Sequence, residues 1–202
     1  MIDLEDRLRA GGVDPRPPEL TEAAAREGLL DVATAVTDTP VGRLVLAATP
    51  AGLVACSYQD EAAVAERLAR SVSPRILRAP KRLDPIRRQL DDYFEGLRVR
   101  FSTTVDLTLA GPFARTVLAA VDRVPFGSTT TYGELAIQIG RPSAARAVGR
   151  ALAANPLCIV VPCHRVVGAD GRLTGYAGGV PAKRLLLDLE AAAAEPGPAA
   201  SR

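Results

Sequence analysis

The chain has 202 residues, 48% of them hydrophobic and 24% charged, with a formal net charge of +2. That is enough apolar material to bury one or two cores without metals or disulfides, which excludes a disordered or fibrous polypeptide. Three cysteines, Cys56, Cys158 and Cys163, make no paired framework, and neither a secretory signal nor a membrane-length apolar run follows the mixed acidic start; a cytoplasmic protein is expected.

In chain order, residues 1–30 hold a short polar helix broken by Gly11-Gly12 and by Pro15-Arg16-Pro17-Pro18, and read as a loosely attached extension. From Asp31 the texture is that of strands: Val32–Val36, Gly42–Ala48 and Leu53–Tyr58, separated by turns at Thr39-Pro40 and Pro50-Ala51-Gly52. This predicts a three-stranded antiparallel meander. Helical spacing follows over Glu61–Ser71 and over Asp84–Gly96 (Ile86, Leu90, Tyr93, Phe94), and Arg100–Leu107 reads as a further strand. Residues 31–108 are thus expected to form a small α+β domain.

Pro112 opens a second regime, a mainly helical domain over 109–194. Phe113–Val124 has an amphipathic helical pattern that stops before Pro125-Phe126-Gly127. Thr131-Tyr132-Gly133-Glu134 has capping-box spacing and starts a helix over Tyr132–Ile139. Gly140-Arg141-Pro142 breaks it, Ser143 is placed to cap a second helix over Ala144–Ala154, and Asn155-Pro156 ends that one. Together they outline a helix-turn-helix. The second helix carries little side chain: Ala144, Ala145, Ala147, Gly149, Ala151, Ala153 and Ala154 surround Arg146 and Arg150. Its backbone could approach something large; an alanine-biased composition accounts for it equally well. Pro181 is read as the first residue of a last helix to about Ala194, and 195–202 as a disordered tail. Charge follows the same division. Residues 1–110 carry 15 Lys+Arg against 17 Asp+Glu, and 111–202 carry 10 against 6, so the second half is the one suited to an anion.

The chemistry sits in Ile159-Val160-Val161-Pro162-Cys163-His164-Arg165-Val166-Val167, where an apolar run delivers a thiol, the chain's only histidine and an arginine in succession. Successive side chains on a strand face opposite ways, so His164 can reach the Cys163 sulfur only through a turn at Pro162 or through a water. A free thiol is mostly protonated at neutral pH, its pKa being about 8.5, and needs an activating neighbour. Glu190 lies seven residues beyond Lys183 on one helix face, where it could orient the histidine or simply be a solvated charge.

Pro162-Cys163-His164-Arg165-Val166, preceded by Asn155-Pro156 and followed by Tyr176-Ala177-Gly178-Gly179, resembles the O6-alkylguanine-DNA alkyltransferases. The likeness runs in order from Leu90–Gly96 through Pro125-Phe126-Gly127, Thr131–Ala136 and Ala144–Gly149 to Glu190, over half of the chain. It implies a ribonuclease-H-like N-terminal domain joined to a helix-turn-helix domain. It further implies a single-use repair reaction on double-stranded DNA, in which Cys163 takes the alkyl group from O6 of guanine, or O4 of thymine, with no cofactor. By the same resemblance His164, oriented by Glu190, activates the thiol through water; Asn155 bonds within the active-site turn; Tyr132 donates or relays a proton; and Lys183 polarises the base. Cys158, Val166, Tyr176 and Ala177 would line the guanine pocket, the Val166 carbonyl facing the guanine amine. Arg146 would fill the space left by a flipped base, with Ala144, Ala147, Gly149 and Arg150 in the minor groove, and Thr131 and Arg165 either positioning DNA or bracing the turn. A free monomer with cooperative assembly on DNA is implied.

Two departures stand out. Cys158 occupies a position where many members carry proline, which alters a pocket wall and predicts poorer binding of benzylated guanines, and Ala177 stands where some relatives have serine. With one histidine, amino-terminal zinc ligands are not identifiable, and no structural metal is expected. Three rival readings compete. A zinc site from Cys56, Cys158, Cys163 and His164 would need adjacent Cys-His ligands, and a cysteine hydrolase would need a distant histidine. A non-catalytic helix-turn-helix protein that senses alkylated bases would not need Cys163.

Overall fold

The computed structural model describes residues 23–24 and 27–194. Most of the extension expected over 1–30, and all of the tail expected over 195–202, lie outside the described residues. Strands β1 (Val32–Thr39), β2 (Gly42–Thr49) and β3 (Gly52–Ser57) form the predicted antiparallel meander, with Thr39 opposite Gly42 at the first turn and Thr49 opposite Gly52 at the second. A fourth strand, β4 (Ile76–Arg78), runs parallel to β1 and gives the order β3-β2-β1-β4. Three residues are too few to show a sequence period. Arg100–Leu107 is not a strand: it touches β3 through one bridge, Val105 to Leu53, before the Asp106 carboxylate bonds Thr49 and Thr108 in the following turn.

Central strands buried on both faces explain why β2 is apolar without alternation. Val45 and Ala47 pack with Val64 and Leu68 of helix α1 (Glu61–Ser71), which Asp60 caps at Ala63 N–H. Leu44 and Leu46, with Leu53 and Cys56 of β3, face the other way. There they meet helix α2 (Pro80–Phe94), presenting Leu83, Ile86, Leu90 and Tyr93. Helix α2 begins four residues before the predicted Asp84, because Pro80 takes the first turn, where no N–H is needed, and Pro85 is carried inside.

The rest is helical. Helices α3 (Pro112–Val121), α4 (Tyr132–Gln138), α5 (Ala145–Ala153) and α6 (Gly179–Ala194) surround the Cys-His segment. The capping box at Thr131 is formed in full, its hydroxyl accepting from Glu134 N–H while the Glu134 side chain accepts from Thr131 N–H. Ser143 does not cap α5; it lies inside a 3-10 turn (Pro142–Ala144) that leads into the helix, and Ala144 takes the cap position without a side-chain bond. Pro181 is the third residue of α6, not the first, since Gly179 already has its place in the helix. A short parallel pair, β5 (Thr130–Thr131) with β6 (Val166–Val167), ties the start of α4 to the exit of the Cys-His segment. The larger buried cluster runs from β2 and α2 through α3 to Leu186 of α6, so both halves share it.

Candidate active site

The Cys-His segment is a succession of tight turns. Asn155 opens it with an Asx turn, its Oδ1 accepting from Leu157 N–H at 3.0 Å. Ile159 has φ +71°, a left-handed value rare for a β-branched residue, at the centre of a three-residue turn closed by Val160 N–H to the Cys158 carbonyl at 2.8 Å. Such strain, of order 1–3 kcal/mol, persists only where packing imposes it, and Ile159 is fully buried. Pro162 (φ −80°, ψ 61°) centres a second such turn of the opposite hand, closed by Cys163 N–H to the Val161 carbonyl at 2.8 Å. Its ring fixes that φ. Cys163–Arg165 then form one 3-10 turn, so thiol and imidazole leave the backbone in different directions.

Each direction has its own set of partners. Cys163, 7% exposed, receives a hydrogen bond from Asn155 Nδ2 at 3.2 Å; the same amide donates to the Val161 carbonyl at 3.1 Å. The neighbouring Cys158 thiol, whose Sγ donates to the Asn155 carbonyl at 3.7 Å, lowers the Cys163 pKa against the desolvation that opposes it, with Asn155 and the charge of Lys183 adding to the effect. The Cys158 pKa is correspondingly pushed well up by the Cys163 thiol beside it and by burial, so it stays protonated. Lys183 is wholly buried. Its ammonium donates to the carbonyls of Val166 (2.5 Å) and Thr174 (3.0 Å), and desolvation lowers its pKa.

His164 faces Glu190. Both are 0% exposed, and the His164 Nε2 to Glu190 Oε1 distance is 2.8 Å. The carboxylate gathers four more donors: Tyr93 hydroxyl (2.7 Å), Arg165 Nε (2.8 Å) and Nη2 (2.9 Å), and Gly127 N–H (3.1 Å). Burial alone would raise the Glu190 pKa; the bonds from His164 and Arg165 overcome it and hold the group at about 2. Burial likewise lowers the His164 pKa although Glu190 pulls the other way, so the imidazole rests neutral. With Nε2–H directed to the carboxylate, Nδ1 keeps its lone pair, and among the described residues it has no hydrogen-bond partner. Gly127 is fixed by the same hub. Its φ is +72°, and a Cβ there would lie 2.7 Å from Ala194 Cβ and 3.3 Å from the Glu190 carbonyl oxygen.

Helix α5 contrasts with this interior. Val148, Ala151 and Leu152 face the core, while Arg146 and Arg150 stand exposed among small residues. The ring of Tyr132 lies against Gly149, whose Cβ would sit 3.7 Å from it, and the Tyr132 hydroxyl meets Thr174 Oγ1 at 3.1 Å.

Two family models cover the chain in succession: the 6-O-methylguanine DNA methyltransferase ribonuclease-like domain over residues 32–107, and the DNA binding domain of the same family over 112–192. The chain belongs to this family. It is 42% identical over 153 residues to the methylated-DNA–protein-cysteine methyltransferase of Mycolicibacterium paratuberculosis, covering 76% of this chain and 88% of that one. The crystal structure of Mycobacterium tuberculosis O6-methylguanine methyltransferase superposes with a TM-score of 0.69 at 38% identity, over 83% of this chain and 96% of the other. That of Mycobacterium tuberculosis OGT in complex with DNA gives 0.65 at 38%, over 81% and 94%.

Within this family fold the residues singled out from sequence fall into three groups. Asn155, Cys158 and Lys183 act on the Cys163 thiol, while His164 and Glu190 pair with each other. Tyr176 stands edge-on to the His164 ring, with centroids 6.3 Å apart, and Ala177 is exposed beside it. Ala144, Ala147, Gly149, Arg146 and Arg150 share α5 and its leading turn, away from the thiol. Thr131 spends its hydroxyl on the α4 cap. Arg165, expected either to position DNA or to brace the turn, has bracing geometry: it is buried, bound to Glu190 and to the Val124 carbonyl (2.7 Å), and stacked over Phe126. The Val166 carbonyl, expected to meet the guanine amine, already accepts from Lys183 and keeps one lone pair. Among the described residues, no group of three or more His, Cys, Asp or Glu is arranged to hold a metal ion. Sequence reasoning missed Tyr93 and Gly127 as partners of Glu190. Both lie in stretches that carry the family resemblance, where the sequence shows only an apolar helix position and a helix stop.

Proposed function

We propose that this chain repairs alkylated DNA by taking an alkyl group from O6 of guanine in a duplex onto Cys163, irreversibly and once per molecule. The observation that carries the reading is a buried thiol, held by Asn155 at 3.2 Å and with a lowered pKa, next in the chain to a neutral, buried histidine whose Nδ1 lacks a partner among the described residues. In this reading the Cys163 proton passes through one water to His164 Nδ1, and Glu190 stabilises the imidazolium formed. The thiolate attacks the alkyl carbon, a C–S bond forms, the C–O6 bond breaks, and its electron pair leaves with the base. Tyr132 supplies a proton to the departing guanine. Asn155 orients the sulfur, and Lys183 offsets the developing negative charge.

A stacked guanine keeps O6 out of reach, so the base must be flipped out. Arg146 would occupy its place while Ala144, Ala147, Gly149 and Arg150 lie in the minor groove, whose nearly sequence-blind pattern suits a repair protein. Thr131 would brace the start of α4 beside the DNA. Tyr176, Ala177, Cys158 and Val166 would form the pocket wall. The division of labour follows the chain, 31–108 supporting and 109–194 reacting. Among the described residues no helix is long and apolar enough to cross a membrane, and a reduced cytoplasm fits the free thiols.

The test is intact-mass spectrometry after incubation with duplex DNA containing O6-methylguanine. One methyl group gained, mapped to Cys163 and absent from Cys163→Ala, is the expected result. An unchanged mass overturns the proposal.

A further inference from the structure

Strand β3 ends against the active-site turn. Cys56 N–H donates to the Pro156 carbonyl at 2.8 Å and Cys158 N–H to the Cys56 carbonyl at 2.9 Å, so the strand and the turn are joined backbone to backbone. Side chains two residues apart on an extended chain share a face. Cys56 faces the shared core, and Tyr58, just past the strand end, follows it toward the same side. The Tyr58 hydroxyl meets the Tyr176 hydroxyl at 3.4 Å, and the two rings stand edge to face with centroids 5.6 Å apart. The following loop closes on the same ring. A Cβ on Gly178 would lie 2.5, 2.7 and 2.9 Å from three Tyr58 ring atoms, closer than any side chain could be accommodated without displacing the loop or the ring.

Tyr58 therefore contacts the loop on two sides, at the Tyr176 ring and at the Gly178 backbone. Tyr176 in turn stands beside His164. A group of the β-sheet half thus determines where one wall of the pocket stands.

We infer that Tyr58 is a specificity-determining residue: it fixes Tyr176 and the 175–179 loop, and so limits the size of the alkyl group that can reach Cys163. The inference rests on the alkyl-transfer reading above. Tyr58 touches no reacting atom in it and acts through Tyr176 as a positioning residue. Removing the ring leaves a space beside Tyr176 into which the loop can relax. A small methyl group loses a well-placed wall, whereas a benzyl group gains room. The ratio of benzyl to methyl transfer therefore rises, a change that general loss of stability would not produce.

The experiment compares rates of Cys163 alkylation, read by intact mass, with duplex O6-methylguanine and with free O6-benzylguanine. The wild type is set beside Tyr58→Ala, Tyr58→Phe and Gly178→Ala. Tyr58→Ala is expected to raise the benzyl-to-methyl ratio at least about fivefold, in the range by which hydrophobic pockets discriminate one or two carbons. Tyr58→Phe keeps the ring and is expected to stay within about twofold, since one 3.4 Å bond between neutral hydroxyls contributes little. Gly178→Ala presses on the same contact from the other side without replacing Tyr58, forcing the loop away from the ring and not toward it, and is expected to shift the ratio in the opposite direction. It also serves should Tyr58→Ala fail to fold. An unchanged ratio in the folded Ala variants overturns the inference, while absence of any transfer by the wild type overturns the underlying function instead.

Discussion

The surroundings of Glu190 and the outer face of α5 follow opposite rules. Around Glu190 five donors converge on two fully buried carboxylate oxygens, and a histidine, an arginine, a tyrosine and a backbone amide from three separate stretches are committed to it. On α5 two arginines stand exposed among small residues. The contrast follows from what each must do. A proton acceptor is useful only if its orientation and charge state are settled before the substrate arrives, which demands a closed, fully bonded interior. A surface that enters a groove must keep its cations unspent and its backbone uncovered. The strain at Ile159 belongs to the first kind, because only a rigid surround can hold it.

The sharpest way to break the comparison is Glu190→Leu. It leaves the Arg165 charge buried without its partner and is expected to cost about 3–5 kcal/mol of stability, read as a drop in urea midpoint. Arg146→Ala in the same assay should stay within about 0.5 kcal/mol, because an exposed side chain outside any network is being removed. Equal losses from the two would mean that the hub and the helix face are not distinct.

Acid titration isolates the hub next. The Glu190 pKa lies at about 2 in the folded chain, below its ordinary value of 4.5, so its stabilisation is complete above about pH 4.5 and is lost as pH falls toward 2. The amount is on the order of 3 kcal/mol by linkage. Urea midpoints between pH 7 and pH 2 should fall more steeply for the wild type than for Glu190→Gln, and parallel curves would assign the acid sensitivity elsewhere.

The helix face is probed through activity. Arg146→Ala should slow alkyl uptake from duplex DNA by roughly 10- to 100-fold, the scale of losing part of the few kcal/mol needed to keep a base unstacked. Reaction with free O6-benzylguanine should be unchanged, since no base need be flipped. A parallel loss on both substrates would place Arg146 in the pocket.

The smallest effect concerns Cys158. Its thiol, beside Cys163, lowers the Cys163 pKa, so Cys158→Ala should move the pH profile of Cys163 alkylation toward higher pH. Cys158→Ser, which retains a donor, should shift it less. Identical profiles for alanine and serine would reduce Cys158 to packing.

Much of this was legible in the chain. The meander, α1, the Thr131 capping box and the helix-turn-helix outline are local patterns, set by alternation, helical period and caps within a few residues. The reactive pair was legible too, because Cys163 and His164 are adjacent and a proline fixes the approach to them. Other features have no local signal. Strand β4 is three residues long, and its parallel pairing with β1 spans a helix. Helix α2 starts at Pro80 because of where the chain arrives on the sheet, although Pro85 offers an equally good start in the sequence.

What the sequence determined by itself is the chemistry on offer: one nucleophile, one histidine, and a small-residue helix with two arginines. Only the tertiary structure decided how these are used. Arg165, two residues from the nucleophile, looks like a free cation until the fold buries it against a carboxylate 25 residues away. Tyr93 and Gly127 become partners of that carboxylate from 97 and 63 residues away, and Tyr58 reaches Tyr176 across 118. The reason is physical. Burial and charge pairing are properties of what surrounds a group in space, and those neighbours come from separations over which no sequence period survives.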